Sequence, residues 1–203
     1  MLLVAGLGNP GPDYARNRHN VGFMAVDEIV RRHGLGPFRT KFDGEISQGD
    51  VAGVRVVVLK PMTFMNNSGQ SVGEAMRFYK IVPDAVVVYH DELDLAAAKV
   101  RLKKGGGHAG HNGLRSIQAH IGPDFRRVRL GIGHPGDKAL VRNHVLDDFA
   151  KADDAWLDRL LPALAEHFPL VVAGDDLAYM SKVAQAVGPV PSPTTPKPET
   201  NNG

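Results

Sequence analysis

Short apolar runs alternate with stretches of helical periodicity along this chain, and that alternation constrains its fold more than any other feature. Residues 2–7 and 85–89 are apolar almost throughout, as strands covered on both faces must be. Residues 20–33 instead carry a stripe of Phe23, Val26, Ile29 and Val30, with Gly34 placed to end a helix. A hairpin is expected over residues 42–59, turning at Ala52-Gly53, with Val54, Val56 and Val58 on one face. Residues 68–80 read as a helix through Val72, Ala75, Met76 and Tyr79, with a capping box at Ser71 and Glu74. Strands follow at 85–89, 99–103 and 127–132. In the last, Val128, Leu130 and Ile132 face one way and Arg127 and Arg129 the other. Asn112 is expected to cap a helix bearing Leu114, Ile117 and Ile121. Two further helices are expected, over 152–172 with a kink or break near Pro162, and over 176–187. The pattern predicts one α/β domain, residues 1–187, with a mixed, mostly parallel twisted sheet flanked by helices. The Pro- and Thr-rich segment 188–203 is expected to be a disordered tail.

Composition narrows the function classes. At 203 residues the chain buries about 70% of its unfolded surface, so the fold needs no covalent staples. It has no cysteine. Disulfide, thiolate-metal and cysteine-nucleophile chemistry are therefore excluded, and a reducing cytoplasm is the expected location. Met1-Leu2-Leu3-Val4 has no basic region before it and runs at once into Gly6-Leu7-Gly8, so it reads as a strand rather than a leader. Its apolar runs fall far short of the roughly 18 residues of a membrane span, and no membrane is expected as a partner. Residues 1–143 hold 20 Lys and Arg against 13 Asp and Glu, whereas 144–203 hold 4 against 9. The excess positive charge travels with the histidine loops described next. It fits a polyanionic substrate such as nucleic acid, or a mixed solvated surface.

Three polar clusters each lie near an apolar run: Arg18-His19-Asn20, His90-Asp91-Glu92 and Gly110-His111-Asn112-Gly113. Histidine exchanges a proton near neutral pH, and a carboxylate beside it fixes its tautomer and raises its basicity. Loops of this kind on a rigid core are where catalytic centres are assembled, although His19 would also serve as a surface residue at a helix start. Gly6-Leu7-Gly8-Asn9-Pro10-Gly11 spells a dinucleotide-binding pattern, but Pro10 and Pro12 block the helix that pattern needs, and no acidic residue ends a second strand. His108 and His111 have metal-like spacing in a glycine-rich loop that gives them no common helical face. Lys103-Lys104 followed by five glycines among residues 105–113 can hold an anion on backbone N–H groups, or form a flexible lid. Met62, Phe64 and Met65 beside Pro61 and Asn66 read either as core or as an exposed apolar contact. No serine sits in a nucleophile elbow and there is no cysteine, so covalent catalysis has no obvious nucleophile.

Six motifs in order resemble bacterial peptidyl-tRNA hydrolases over about residues 1–187. They are residues 6–11, Arg18-His19-Asn20-Val21-Gly22, residues 60–66, Asp91-Glu92-Leu93-Asp94, residues 105–113 and residues 131–136. The resemblance implies hydrolysis of the ester joining a peptide to the 3′ end of tRNA, by a usually monomeric protein without metal or cofactor. It implies His19 as the base that activates water, Asp91 as the carboxylate that orients it, and Asn9 as the discriminator of N-blocked substrates. Tyr14, Phe64, Asn66 and Asn112 match positions that contact the tRNA end, Met65 and His111 line the same crevice, and Lys103 and Arg129 match the phosphate-contacting pair. Ala109 stands where that family has glycine, and Ala96-Ala97 where proline often occurs. A tRNA-binding protein without catalysis would keep the cations and aromatic rings but need neither His19 nor Asp91.

Overall fold

The computed structural model describes residues 1–190, so most of the expected tail lies outside the described residues. Among these residues seven strands form one sheet: β1 (Leu2–Gly6), β2 (Arg39–Lys41), β3 (Gly44–Val51), β4 (Val54–Pro61), β5 (Val86–Glu92), β6 (Val100–Lys104) and β7 (Arg126–Gly131). Their order is β2-β3-β4-β1-β5-β7-β6. The four central strands, β4, β1, β5 and β7, run parallel, and the edges are antiparallel. Among the described residues, seven α-helices flank it: α1 (Val21–Arg32), α2 (Ser68–Phe78), α3 (Asn112–Ile121), α4 (Val141–Leu146), α5 (Asp154–Glu166), α6 (Phe168–Ala173) and α7 (Asp176–Val187).

The sheet divides two apolar cores. Leu2 and Val4 of β1 pack with α1, α5, α6 and α7, whereas Leu3 and Ala5 pack with α2 and α3. Both faces of the central strands are dry, which is why their sequences are apolar without alternation. α1 can press on the sheet because Gly6 and Gly22 face each other. A Cβ on Gly22 would collide with the carbonyl oxygen of Tyr89, and one on Gly6 with that of Gly22. This close approach brings the segment before α1 to the carboxyl ends of β1 and β5, where open α/β sheets bind ligands.

Four expectations change. The capping box fails, because Ser71 lies buried inside α2 and the N-cap is Asn67. Asn112 does not cap α3; His111 does, through Nδ1. The break expected at Pro162 occurs instead at His167, and Pro162 is carried inside α5. Pro169 supplies the physical reason, since it has no N–H for the Ala165 carbonyl, which bonds the His33 ring at 2.8 Å. Finally, Arg127 is not on a solvated face. It is 2% exposed, covered by the glycine-rich loop whose carbonyls it holds. β2 and α4, too short for periodicity to reveal, are additional to the expected elements.

Candidate active site

Asp91 is the hub of the site. It projects from the end of β5, buried, and its carboxylate meets two imidazoles. His19 Nδ1 lies 2.9 Å from both Asp91 oxygens, and His111 Nε2 lies 2.8 Å from Oδ1. The His19 and His111 rings stand 5.0 Å apart.

Each ring reaches Asp91 from a differently anchored segment. His19 sits in a single helical turn, Arg18–Asn20, just before α1. That turn is tied to the chain after α4: the Arg18 backbone N–H donates to the Asp147 carbonyl, and Asn17 Nδ2 donates to Asp148 Oδ1 at 2.9 Å. His111 ends the glycine-rich loop, and its Nδ1 accepts from the N–H groups of Gly113 at 3.1 Å and Leu114 at 3.3 Å.

These bonds assign protons. Because His111 Nδ1 accepts, the proton of the neutral ring is on Nε2 and is donated to Asp91. Both nitrogens of His111 are thus committed. His90, the third ring, bonds the Asp91 carbonyl through Nδ1, while its Nε2 is sealed in the interior with no partner among the described residues. Burial, followed by the neighbouring His111, pushes the His90 pKa down to about 3, so this ring stays neutral. His19 Nε2 has no partner among the described residues, and His19 lines the crevice.

The electrostatics favour a basic His19. Burial alone would lower its pKa, but the charge and hydrogen bonds of Asp91 outweigh burial and raise it above the ordinary value. Asp91 is driven the other way. Burial would raise its pKa, yet the two imidazoles hold it well below the usual carboxylate range.

Asn9 is oriented by a reciprocal clamp. Its backbone N–H donates to Asn20 Oδ1 and its carbonyl accepts from Asn20 Nδ2, both at 2.9 Å. Its own Oδ1 accepts the Met65 N–H at 2.8 Å, which leaves Nδ2 as the free donor. Met65 is buried, whereas Phe64 is 57% exposed and stands edge-on to Tyr14 at 6.4 Å. Asn66 and Asn112 are exposed. Lys103 is exposed with no ion pair among the described residues, whereas Arg129 Nε is 2.9 Å from Glu92 Oε2.

All eleven residues singled out in the sequence line one crevice. His90, which the sequence marks as part of a polar cluster, lines it too, as do Arg127, Lys138 and Arg142, which were missed. Lys138 and Arg142 belong to a short turn and a six-residue helix with no sequence signal. His108 does not join the His19–Asp91–His111 cluster; its Nδ1 accepts the Gly110 N–H instead. Ligand atoms of the three clustered residues lie within 4.8 Å of one another. With His111 Nδ1 turned to α3, the 2.8–2.9 Å separations are those of hydrogen bonds to a carboxylate. No helix among the described residues is long and apolar enough to cross a membrane.

The comparisons agree with this geometry. The sequence profile described as peptidyl-tRNA hydrolase matches residues 3–189. The peptidyl-tRNA hydrolase of Rhizobium rhizogenes is 59% identical over 199 residues, covering 98% of this chain and 84% of that protein. That of Dinoroseobacter shibae is 58% identical over 202 residues, covering 98% and 86%. The crystal structure of peptidyl-tRNA hydrolase from Acinetobacter baumannii superposes with a TM-score of 0.84 at 44% identity, covering 90% of this chain and 94% of that one. A profile matched from end to end of the domain, on the same fold, leads to one assignment: the chain belongs to the peptidyl-tRNA hydrolase family.

Proposed function

We propose that this chain hydrolyses the ester between a peptide and the 3′ end of tRNA by direct attack of water, with His19 as general base. The observation that carries the reading is the proton inventory of the cluster. His111 has both nitrogens engaged and His90 Nε2 is sealed, which leaves His19 Nε2 to meet a substrate. In the first step His19 Nε2 takes a proton from water as the water oxygen bonds to the ester carbonyl carbon. Asp91 stabilises the imidazolium so formed. The tetrahedral oxyanion then collapses, the bond to the 3′ ribose oxygen breaks, and His19 Nε2–H returns the proton to that oxygen. No acyl-enzyme is formed. The side-chain amides of Asn66 and Asn112 and the free Nδ2 of Asn9 are donors that can hold the peptide and the oxyanion without competing for the proton.

Asn9 Nδ2 is the discriminator of N-blocked substrates, Tyr14, Phe64, Asn66 and Asn112 receive the tRNA end, and Lys103 and Arg129 hold phosphate. The chain acts as a monomer without a metal, in the cytoplasm. The deciding experiment follows release of free tRNA from N-acylated aminoacyl-tRNA, beside the unacylated form, in water enriched in oxygen-18. Label in the released carboxylate, with no burst of tRNA before steady state, is the expected result. A burst equal to the enzyme concentration would establish a covalent intermediate instead.

A further inference from the structure

We propose that the backbone N–H groups of Gly107 and His108 form a binding subsite for a tRNA phosphate, and that Arg127 is the positioning residue that builds it. The proposal rests on reading the crevice as the tRNA site.

The starting point is an unusual cation. Arg127 is 2% exposed and pairs with no carboxylate among the described residues. It also stands directly across from Lys103 in the β6–β7 register, a like-charged pairing that costs stability. A buried cation needs hydrogen-bond acceptors. Arg127 finds them in the glycine-rich loop: Nη1 donates to the Gly107 carbonyl at 2.6 Å and Nη2 to the Gly106 carbonyl at 2.7 Å. Its guanidinium carbon lies 4.5 Å from the centre of the Phe125 ring.

Holding two successive carbonyls has a consequence on the other side of the loop. In a trans peptide the N–H points opposite to the C=O. The Gly107 N–H, paired with the Gly106 carbonyl, and the His108 N–H, paired with the Gly107 carbonyl, therefore both point away from Arg127. Neither donates to any group among the described residues. Gly107 and His108 line the crevice together with Lys103, Arg115 and Arg129. The Lys103 ammonium lies against Gly106, 2.6 Å from where a Cβ would sit, and Gly106 has a φ of 97°, a conformation that favours glycine. Adjacent N–H groups in a cationic setting are suited to a phosphate oxygen. Buried Arg127 does not touch the phosphate itself; it sets the two peptide planes.

The test uses the full chain, labelled with nitrogen-15, and an RNA hairpin that reproduces a tRNA acceptor arm with its CCA end. The Gly107 and His108 amide resonances are expected to shift with the same midpoint as those of Phe64 and Asn112. Arg127→Met keeps the apolar stem but removes every donor. In that variant the two shifts should vanish and the hairpin should bind at least about tenfold more weakly, since the loss of even one hydrogen bond to a charged group has that effect. KM should rise with kcat little changed. Arg127→Lys keeps the charge but cannot span two carbonyls, so it should weaken binding similarly, and it carries the comparison if the methionine variant folds poorly. Shifts at Phe64 and Asn112 without shifts at Gly107 and His108 would overturn the subsite and leave the crevice reading standing. Absence of shifts throughout the crevice would overturn both. Unchanged hairpin affinity in a folded Arg127 variant would remove Arg127 from the account.

Discussion

His111 and Asp91 are joined by a 2.8 Å bond from Nε2 to Oδ1, while the opposite nitrogen of the same ring caps α3. One imidazole thus fastens the buried carboxylate to the helix that starts at Asn112. The two bonds can be separated by substitution. Asparagine is a good N-cap but too short to reach Asp91, so His111→Asn should keep α3 capped while releasing the carboxylate. His111→Phe loses both and should cost about 1 kcal/mol more stability than the asparagine variant, the usual worth of a cap. Both should lower kcat. Thermal unfolding beside steady-state kinetics checks this, and wild-type kcat in His111→Asn would show the bond to Asp91 to be idle in catalysis.

As the proposed base, His19 is expected to set the acid limb of activity. A base must be unprotonated, and the His19 pKa is raised by Asp91, so kcat/KM should fall as pH drops through a value above the ordinary 6.5. His19→Ala should lower kcat by about 10²–10⁴ with tRNA affinity little changed. Asp91→Asn should lower kcat less and move the limb to lower pH, because the charge that favours imidazolium is gone. The same raised pKa bears on stability. The His19–Asp91 contribution is fully present below the unfolded histidine pKa and is lost as pH rises through the folded one. A flat rate profile across about pH 5–8 would count against His19 as the base.

Asn9 tests selectivity. Its Oδ1 is occupied by the Met65 N–H, so only Nδ2 faces outward, and a donor needs an acceptor such as the first peptide carbonyl. Free aminoacyl-tRNA lacks that group and leaves the donor unpaired, which is how a polar site rejects an analogue. Asn9→Ala should narrow the ratio of kcat/KM between N-acylated and unacylated substrates. Asn9→Asp should narrow it too, since it removes the donor while keeping the bond to Met65. An unchanged ratio in both would reduce Asn9 to a turn former.

Much of this arrangement was legible in the sequence, and the exceptions share a cause. The strands and long helices show as apolar periodicity because each buries a regular face, and α7 falls at residues 176–187 as expected. His19, Asp91 and Asn9 were visible because loops of polar residues beside apolar runs have few structural reasons to carry them. Roles that depend on partners distant in sequence were hidden. His111 displaces Asn112 as the cap only because Asp91, twenty residues earlier in the chain, orients its ring. Arg127 alternates like a solvent-facing strand residue, and nothing local reveals that the loop 105–111 folds over it. Pro162 looked like the helix breaker, yet the break falls at His167, ahead of Pro169, and His33 from α1's end takes the Ala165 carbonyl that Pro169 leaves orphaned.

Lys103 and Arg129 differ in a way that separates their expected effects. Lys103 is exposed and without an ion pair among the described residues, whereas Arg129 is bonded to Glu92 at 2.9 Å. A phosphate can meet Lys103 directly but must draw Arg129 from Glu92 or share it. Phosphates do not react, so their contacts are equal in ground and transition states and appear in KM rather than kcat. Lys103→Ala should therefore raise KM more than Arg129→Ala, with kcat nearly intact. Each should reduce the slope of log affinity against log salt by about 0.7–0.9, the contribution of one released counterion. Glu92→Gln frees Arg129 and should lower KM at low salt, an effect that disappears in Glu92→Gln combined with Arg129→Ala. The control is a minimal N-acylated aminoacyl ester on a short 3′ fragment, which lacks the distant phosphates. Should Lys103→Ala and Arg129→Ala impair that fragment as strongly as full-length tRNA, both side chains act at the reacting ester and the phosphate assignment falls.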